Sequence, residues 1–187
     1  MPTKKKPTRA SKVATTKTAA KAKPAAAKGP DSTSLEGRKA PNFELPDGTG
    51  KTVKLADLIG AKNLVLYFYP KDMTPGCTIE ACSFRDNLGA VRSASAQVVG
   101  ISADSPASHE KFTGKYDLNF PLLSDTGNQV GRLYGVYKMK SLYGRQYMGI
   151  ERTTFIIGRD GVVRKVFPKV KVGGHTDEVL AALKELG

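Results

Sequence analysis

Between residues 42 and 55 apolar and polar positions alternate around a Gly-rich turn, with Phe43 and Leu45 on one arm, Asp47-Gly48-Thr49-Gly50 at the bend and Val53 and Leu55 on the other. Period-two alternation interrupted by turn residues predicts a β-hairpin. Residues 63 to 69 then form a near-continuous apolar run, Asn63-Leu64-Val65-Leu66-Tyr67-Phe68-Tyr69, closed by Pro70. Such a run predicts a central strand buried on both faces. After a Pro/Gly-rich turn, residues 78 to 93 have helical composition, with Ile79, Cys82, Leu88 and Val91 as the apolar positions. Residues 97 to 102 predict a second buried strand. Asp104 or Ser105 is placed to cap the next helix, with Pro106 in its first turn.

Farther along, Pro121 to Ser124 predicts a short strand and Asn128 to Leu133 a short helix, and residues 138 to 149 read as a loop or insertion. A second hairpin is expected from Thr153 to Ile157, the turn Gly158-Arg159-Asp160-Gly161 and Val162 to Phe167. Thr176 to Glu185 forms a terminal helix with Val179, Leu180 and Leu183 inward. Strands alternating with helices, with hairpins at both sequence ends, predict an α/β domain: a central mixed sheet flanked by helices.

Composition adds limits. The 187 residues, 40% hydrophobic, suffice for one domain with a proper core, which excludes a disulfide-stapled miniprotein. No run approaches the roughly 18 apolar residues of a membrane-spanning helix. A closed zinc site would consume all four Cys and His residues.

The formal charge of +13 is unevenly placed. Residues 1 to 30 hold nine Lys/Arg and no acid, which leaves 21 basic against 17 acidic residues, a net +4, for the rest. With almost no large apolar side chain to offset its ordering entropy, the segment 1–34 is expected to be a disordered basic tail and 35–187 the folded domain. The tail lacks the apolar core of a secretory signal, and eight lysines to one arginine fit an organelle transit peptide poorly. Two readings stand side by side: an arm that contacts nucleic acid phosphates through residues 1–30, and a solvated tail with no fixed partner.

Chemistry concentrates in Pro70 to Cys82. The element order sets Cys77 at the carboxyl end of a central strand and the amino end of a helix, where free N–H groups and the helix dipole favour thiolate, the nucleophilic form. Pro75 and Gly76 turn the chain sharply into that helix, and Thr74 aims a hydroxyl at the same point. Cys82 follows five residues later. On an intact helix two Cα atoms at that spacing lie roughly 8 to 9 Å apart, whereas a disulfide needs less than about 7 Å. Oxidation must therefore unwind the first turns, which marks a reversible pair and fits a compartment where lasting disulfides are rare, such as the cytoplasm. Cys82 taken alone reads as a small core residue. His109 and His175 lack ligand-type spacing and are expected at the surface.

At these residues the chain resembles the peroxiredoxins, and within them the bacterioferritin-comigratory or Q-type subfamily. The pattern Pro-x-x-x-Thr-x-x-Cys is matched by Pro70, Thr74 and Cys77, and the subfamily's second cysteine by Cys82. Leu66 to Pro70, Phe84 to Asn87, Gly100 to Asp104 and Pro121 to Asp125 also look like subfamily sequence, and the resemblance runs from about Leu35 to the end. It implies a thioredoxin-like fold and thiol-dependent reduction of hydrogen peroxide or organic hydroperoxides. In that scheme Cys77 is peroxidatic and Cys82 resolving, thioredoxin or a similar dithiol recycles the disulfide, Thr74 bonds thiolate and peroxide, and Pro70 shields the pocket. Arg152 matches the family's charge-stabilising arginine. The resemblance implies a monomer and needs no metal, haem or flavin.

Without the resemblance Arg152 reads as a rim charge, Glu80 as a first-turn carboxylate that steadies the helix dipole, and Tyr67 and Tyr69 as core. The competing class is a nucleic-acid-associated protein, held at a nucleoid or nucleus by its basic arm, in which the α/β domain is secondary.

Overall fold

The computed structural model describes Met1, residues 31–142 and residues 144–186. The basic stretch 2–30, on which most of the tail expectation falls, lies outside the described residues. Residues 31–34, also counted in that tail, are among the described residues. Ser32–Leu35 forms a 3-10 turn with Ser32 and Leu35 buried, and Asp31 pairs with Lys138 at 3.2 Å.

The apolar run of Asn63–Phe68 (β3) is buried at every position because it has a neighbour on each side and a layer on each face. It pairs in parallel with Ala96–Ser102 (β4) and antiparallel with Thr153–Ile157 (β8). Leu122–Ser124 (β5) extends the sheet beyond β4 in parallel, and Val163–Phe167 (β9) extends it beyond β8, giving the order β5-β4-β3-β8-β9. This is the expected mixed sheet of a thioredoxin-like α/β fold. Successive side chains of β3 point to opposite faces. Leu64, Leu66 and Phe68 join one apolar layer with Tyr134 and Phe155, while Val65, Tyr67 and Tyr69 join the other, against helical residues Phe84, Val91, Phe112 and Val179. Gly100 of β4 lies beneath the Tyr67 ring, where a Cβ would stand 2.8 Å from the phenol and 2.7 Å from Leu122.

The first hairpin forms from Glu44–Pro46 (β1) and Thr52–Lys54 (β2) as a separate two-stranded sheet, followed by the short helix Leu55–Leu58 (α1). The helix expected over 78–93 is two helices, Pro75–Asp86 (α2) and Leu88–Ser93 (α3), which meet at Asn87. The Asn87 side chain donates to the Ser83 carbonyl at 2.9 Å. The inner face of α2 is Cys77, Glu80, Ala81 and Phe84, and Ile79, expected inward, is 60% exposed. Pro106–Tyr116 (α4) is capped by Ser105, whose Oγ accepts from the Ser108 N–H. Gln129–Leu133 (α5) and His175–Glu185 (α6) appear where expected, with Val179 and Leu183 buried.

The region read as a loop or insertion is instead a hairpin, Tyr137–Leu142 (β6) and Arg145–Ile150 (β7), turned at Gly144 with φ +77°. Tyr137-Lys138-Met139-Lys140 alternates only briefly and Arg145 to Gly149 does not, neither strand joins the central sheet, and Met139, Tyr147 and Met148 face outward.

Candidate active site

Cys77 is the third residue of α2, directly after the loop that leaves β3. Pro75 at the first helical position needs no hydrogen-bond partner, and Thr74 in extended conformation forms the N-cap. The thiol is 1% exposed. Because β8 runs antiparallel to β3 with Phe68 opposite Thr153, the residue before β8 arrives at the end of β3 where α2 starts. That residue is Arg152, and its Nη2 donates to Cys77 Sγ at 3.2 Å. Gly76 leaves the space: a Cβ there would meet Nη2 at 3.3 Å. The rim charge read from sequence is thus a largely buried cation aimed at sulfur.

One helical turn beyond Cys77, Glu80 is 1% exposed and its Oε2 accepts from Arg152 Nη1. Among the described residues its Oε1 has no hydrogen-bond partner. Burial pushes the Glu80 carboxyl up to about 7, against the pull of the Arg152 guanidinium. For Arg152 burial works toward a lower pKa, and the charges of Glu80 and Cys77 outweigh it, so the guanidinium is held more firmly protonated than usual. From the unforeseen hairpin, Lys140 donates to the Ile150 carbonyl at 2.6 Å, and burial lowers its pKa.

Thr74 departs from expectation: its hydroxyl donates to the Lys71 carbonyl at 3.0 Å, not to Cys77. Pro70 ends the strand and is exposed. Cys82 is half-buried on the same helix, and both cysteines are free. Tyr67 and Tyr69 are core, stacked with ring centroids 5.4 Å apart. The histidines are not at the surface. His109 is paired with Asp72 at 2.9 Å, and His175 Nε2 meets Thr154 Oγ1 at 2.8 Å. Partners supplied by distant elements make burial of both imidazoles possible, and no local pattern announces them.

The AhpC/TSA family model matches residues 37–166. The chain belongs to that family. It is 48% identical over 150 residues to peroxiredoxin Bcp of Bacillus subtilis, covering 80% of this chain and 95% of the relative, and 48% identical over 146 residues to that of Escherichia coli K12, covering 78% and 93%. Among solved structures, peroxiredoxin Q of Xanthomonas campestris superposes with a TM-score of 0.73 at 44% identity, covering 76% of this chain and 90% of that one. The chain is a peroxiredoxin of the Bcp/Q group, a thiol peroxidase. As in any peroxiredoxin, its substrate is a hydroperoxide and its electron donor a thiol. Among the described residues no helix is long and apolar enough to cross a membrane.

Proposed function

We propose that Cys77 is the peroxidatic residue and Cys82 the resolving one. The contact of Arg152 Nη2 with Cys77 Sγ at the start of α2 carries this reading. The Cys77 thiolate attacks the terminal peroxide oxygen, the O–O bond breaks, and the hydroxyl passes to sulfur as a sulfenic acid while the alkoxide or hydroxide leaves and takes up a proton. Arg152 balances negative charge on the sulfur and then on the leaving oxygen. The hydroxyl of Thr74, although it donates to Lys71, keeps lone pairs that accept the peroxide O–H. Pro70 covers the mouth of the pocket. Next, the Cys82 thiolate attacks the sulfenic sulfur, hydroxide leaves as water, and a Cys77–Cys82 disulfide forms once the first turns of α2 unwind. Two thiols of thioredoxin or a similar dithiol then reduce it by exchange.

Alkyl hydroperoxides and hydrogen peroxide are the proposed substrates, in keeping with the alkyl peroxide reduction activity ascribed to the bacterioferritin comigratory protein of Xanthomonas campestris, 43% identical to this chain. A monomer suffices, because both cysteines lie on one helix, and the dithiol cycle suits the cytoplasm. The family match begins at residue 37 and does not reach the basic arm, and the nucleic-acid reading has no support from the relatives. Peroxide-dependent NADPH oxidation with thioredoxin and its reductase tests the assignment: wild type turns over and Cys77→Ser does not. Wild-type turnover by that variant would overturn it.

A further inference from the structure

Beneath the loop that enters α2 lies a buried polar cluster to which the peroxide chemistry gives no role. Asp72 is 6% exposed, and its Oδ1 accepts from Tyr69 Oη at 2.7 Å. Its Oδ2 accepts from Ser108 Oγ at 2.7 Å and faces His109 Nδ1 at 2.9 Å. The Asp72 N–H donates to Asp104 Oδ2 at 2.9 Å, an oxygen that also accepts from Ser102 Oγ at 2.7 Å. Burial works against ionising Asp72, but bonds from His109, Ser108 and Tyr69 hold its carboxyl below the usual range.

His109 is wholly buried, and its Nε2 faces the Leu123 carbonyl at 3.1 Å. Tyr69 Oη lies 3.4 Å from Nδ1, with its own proton directed to Asp72. Carboxylates and carbonyls accept only, while a neutral imidazole carries a single N–H. The Leu123 carbonyl accepts only, so Nε2 donates to it, and one further proton is shared between Nδ1 and Asp72 Oδ2.

The cluster joins Tyr69, the residue after β3, the first turn of α4 (Ser108, His109) and β5 (Leu123) to a loop residue five positions before Cys77. Next to Asp72, Met73 has φ +57°. A non-glycine residue stays in this left-handed region only where its surroundings over-determine the backbone.

We propose that the buried Asp72–His109 pair is a positioning device for the peroxide step: it clamps the Pro70–Thr74 loop to α4 and β5 and so fixes the first turn of α2, where Cys77 meets Arg152. The inference rests on Cys77 being the peroxidatic residue. Attack on peroxide depends on that fixed geometry, and displacing reacting groups by about 1 Å costs about 10²-fold. Resolution proceeds from an unwound helix and does not use it.

Two measurements on the full-length chain test the proposal. In ping-pong kinetics Asp72→Ala lowers kcat/KM for hydrogen peroxide about 10²-fold and leaves kcat/KM for the reductant within about twofold. His109→Gln, which keeps a donor for Leu123 and loses the one for Asp72, falls in the same sense. Asp72→Asn recovers most of the rate, because its amide accepts from Tyr69 and donates to His109 Nδ1. Lowered melting temperatures with unchanged kcat/KM for peroxide, or an Asn variant as slow as the Ala one, would overturn the positioning role. In a long-range ¹H–¹⁵N spectrum of wild type His109 Nε2 carries a proton and Nδ1 shares one with Asp72; an Nε2 without a proton would overturn the clamp of α4 to β5. Turnover surviving in Cys77→Ser is a separate result that defeats the cysteine assignment itself, and the spectrum is independent of it.

Discussion

Replacing Arg152 with Met keeps the apolar stem and removes the charge beside the sulfur. At the 3.2 Å separation of Nη2 and Sγ, two unit charges interact by about 5 kcal/mol at an effective dielectric of about 20 and by about 1 kcal/mol in water. The site lies between these limits, because Cys77 is 1% exposed and the Arg152 side chain 15% exposed. Glu80, on the other guanidinium nitrogen, cancels part of the field. A loss of about 3 kcal/mol corresponds to a fall of about 10²-fold in kcat/KM for peroxide. Arg152→Lys should fall in between, since an ammonium keeps the charge but not the fork that bridges Cys77 and Glu80. The perturbation leaves Glu80 buried without its partner. With a carboxyl already raised to about 7 by burial, Glu80 then takes up a proton at neutral pH and the fold survives. Arg152→Met combined with Glu80→Gln removes that group altogether and should show the same kinetic loss. The assay is steady-state turnover with peroxide and reductant varied in turn, the reductant's kcat/KM serving as internal control. A peroxide kcat/KM within about twofold of wild type in both variants would refute charge stabilisation by Arg152.

Three further outcomes are expected. In Cys82→Ser, peroxide converts Cys77 to a sulfenic acid that mass spectrometry detects after trapping, and turnover persists only with small thiols; normal turnover with thioredoxin would remove Cys82 from the cycle. Glu80 has a carboxyl raised from 4.5 to about 7 in the fold, so its stabilising contribution is complete below pH 4.5 and is lost as pH rises through about 7. Glu80→Gln should therefore flatten the decline of melting temperature with pH over that window, and an unchanged slope would contradict the burial of its charge. Gly100→Ala forces a methyl against Leu122 and the Tyr67 phenol at under 3 Å. It should cost about 1 to 3 kcal/mol in denaturant unfolding, and a neutral result would show that the ring yields freely.

Local patterns were informative where the cause was local. β3 was readable because a strand covered on both faces needs apolar residues throughout, and Cys77 was readable because Pro75, Gly76 and a helix start adjoin it. The break at Asn87 was hidden: helical composition continues through it, and its cause is a side chain that returns to Ser83. The β6/β7 hairpin was hidden because its alternation, Tyr137-Lys138-Met139-Lys140, is short and is not matched on Arg145 to Gly149, where no face of the strand is buried. Ile79 looked like a core position by residue type, yet it faces outward beside Glu80, which is buried.

The residue sequence by itself determined the order of the central strands and their helices, the place of Cys77 at the head of a helix and its spacing from Cys82, since each is set by neighbours in the chain. Only the tertiary structure decided which charges serve the site. Arg152 reaches a sulfur 75 residues away through the antiparallel register of β8 on β3, and His109 meets Asp72 across 37 residues through the docking of α4. A charged side chain enters a core only where a distant partner repays its desolvation. That partner is a property of how strands and helices pack, which no window of sequence contains.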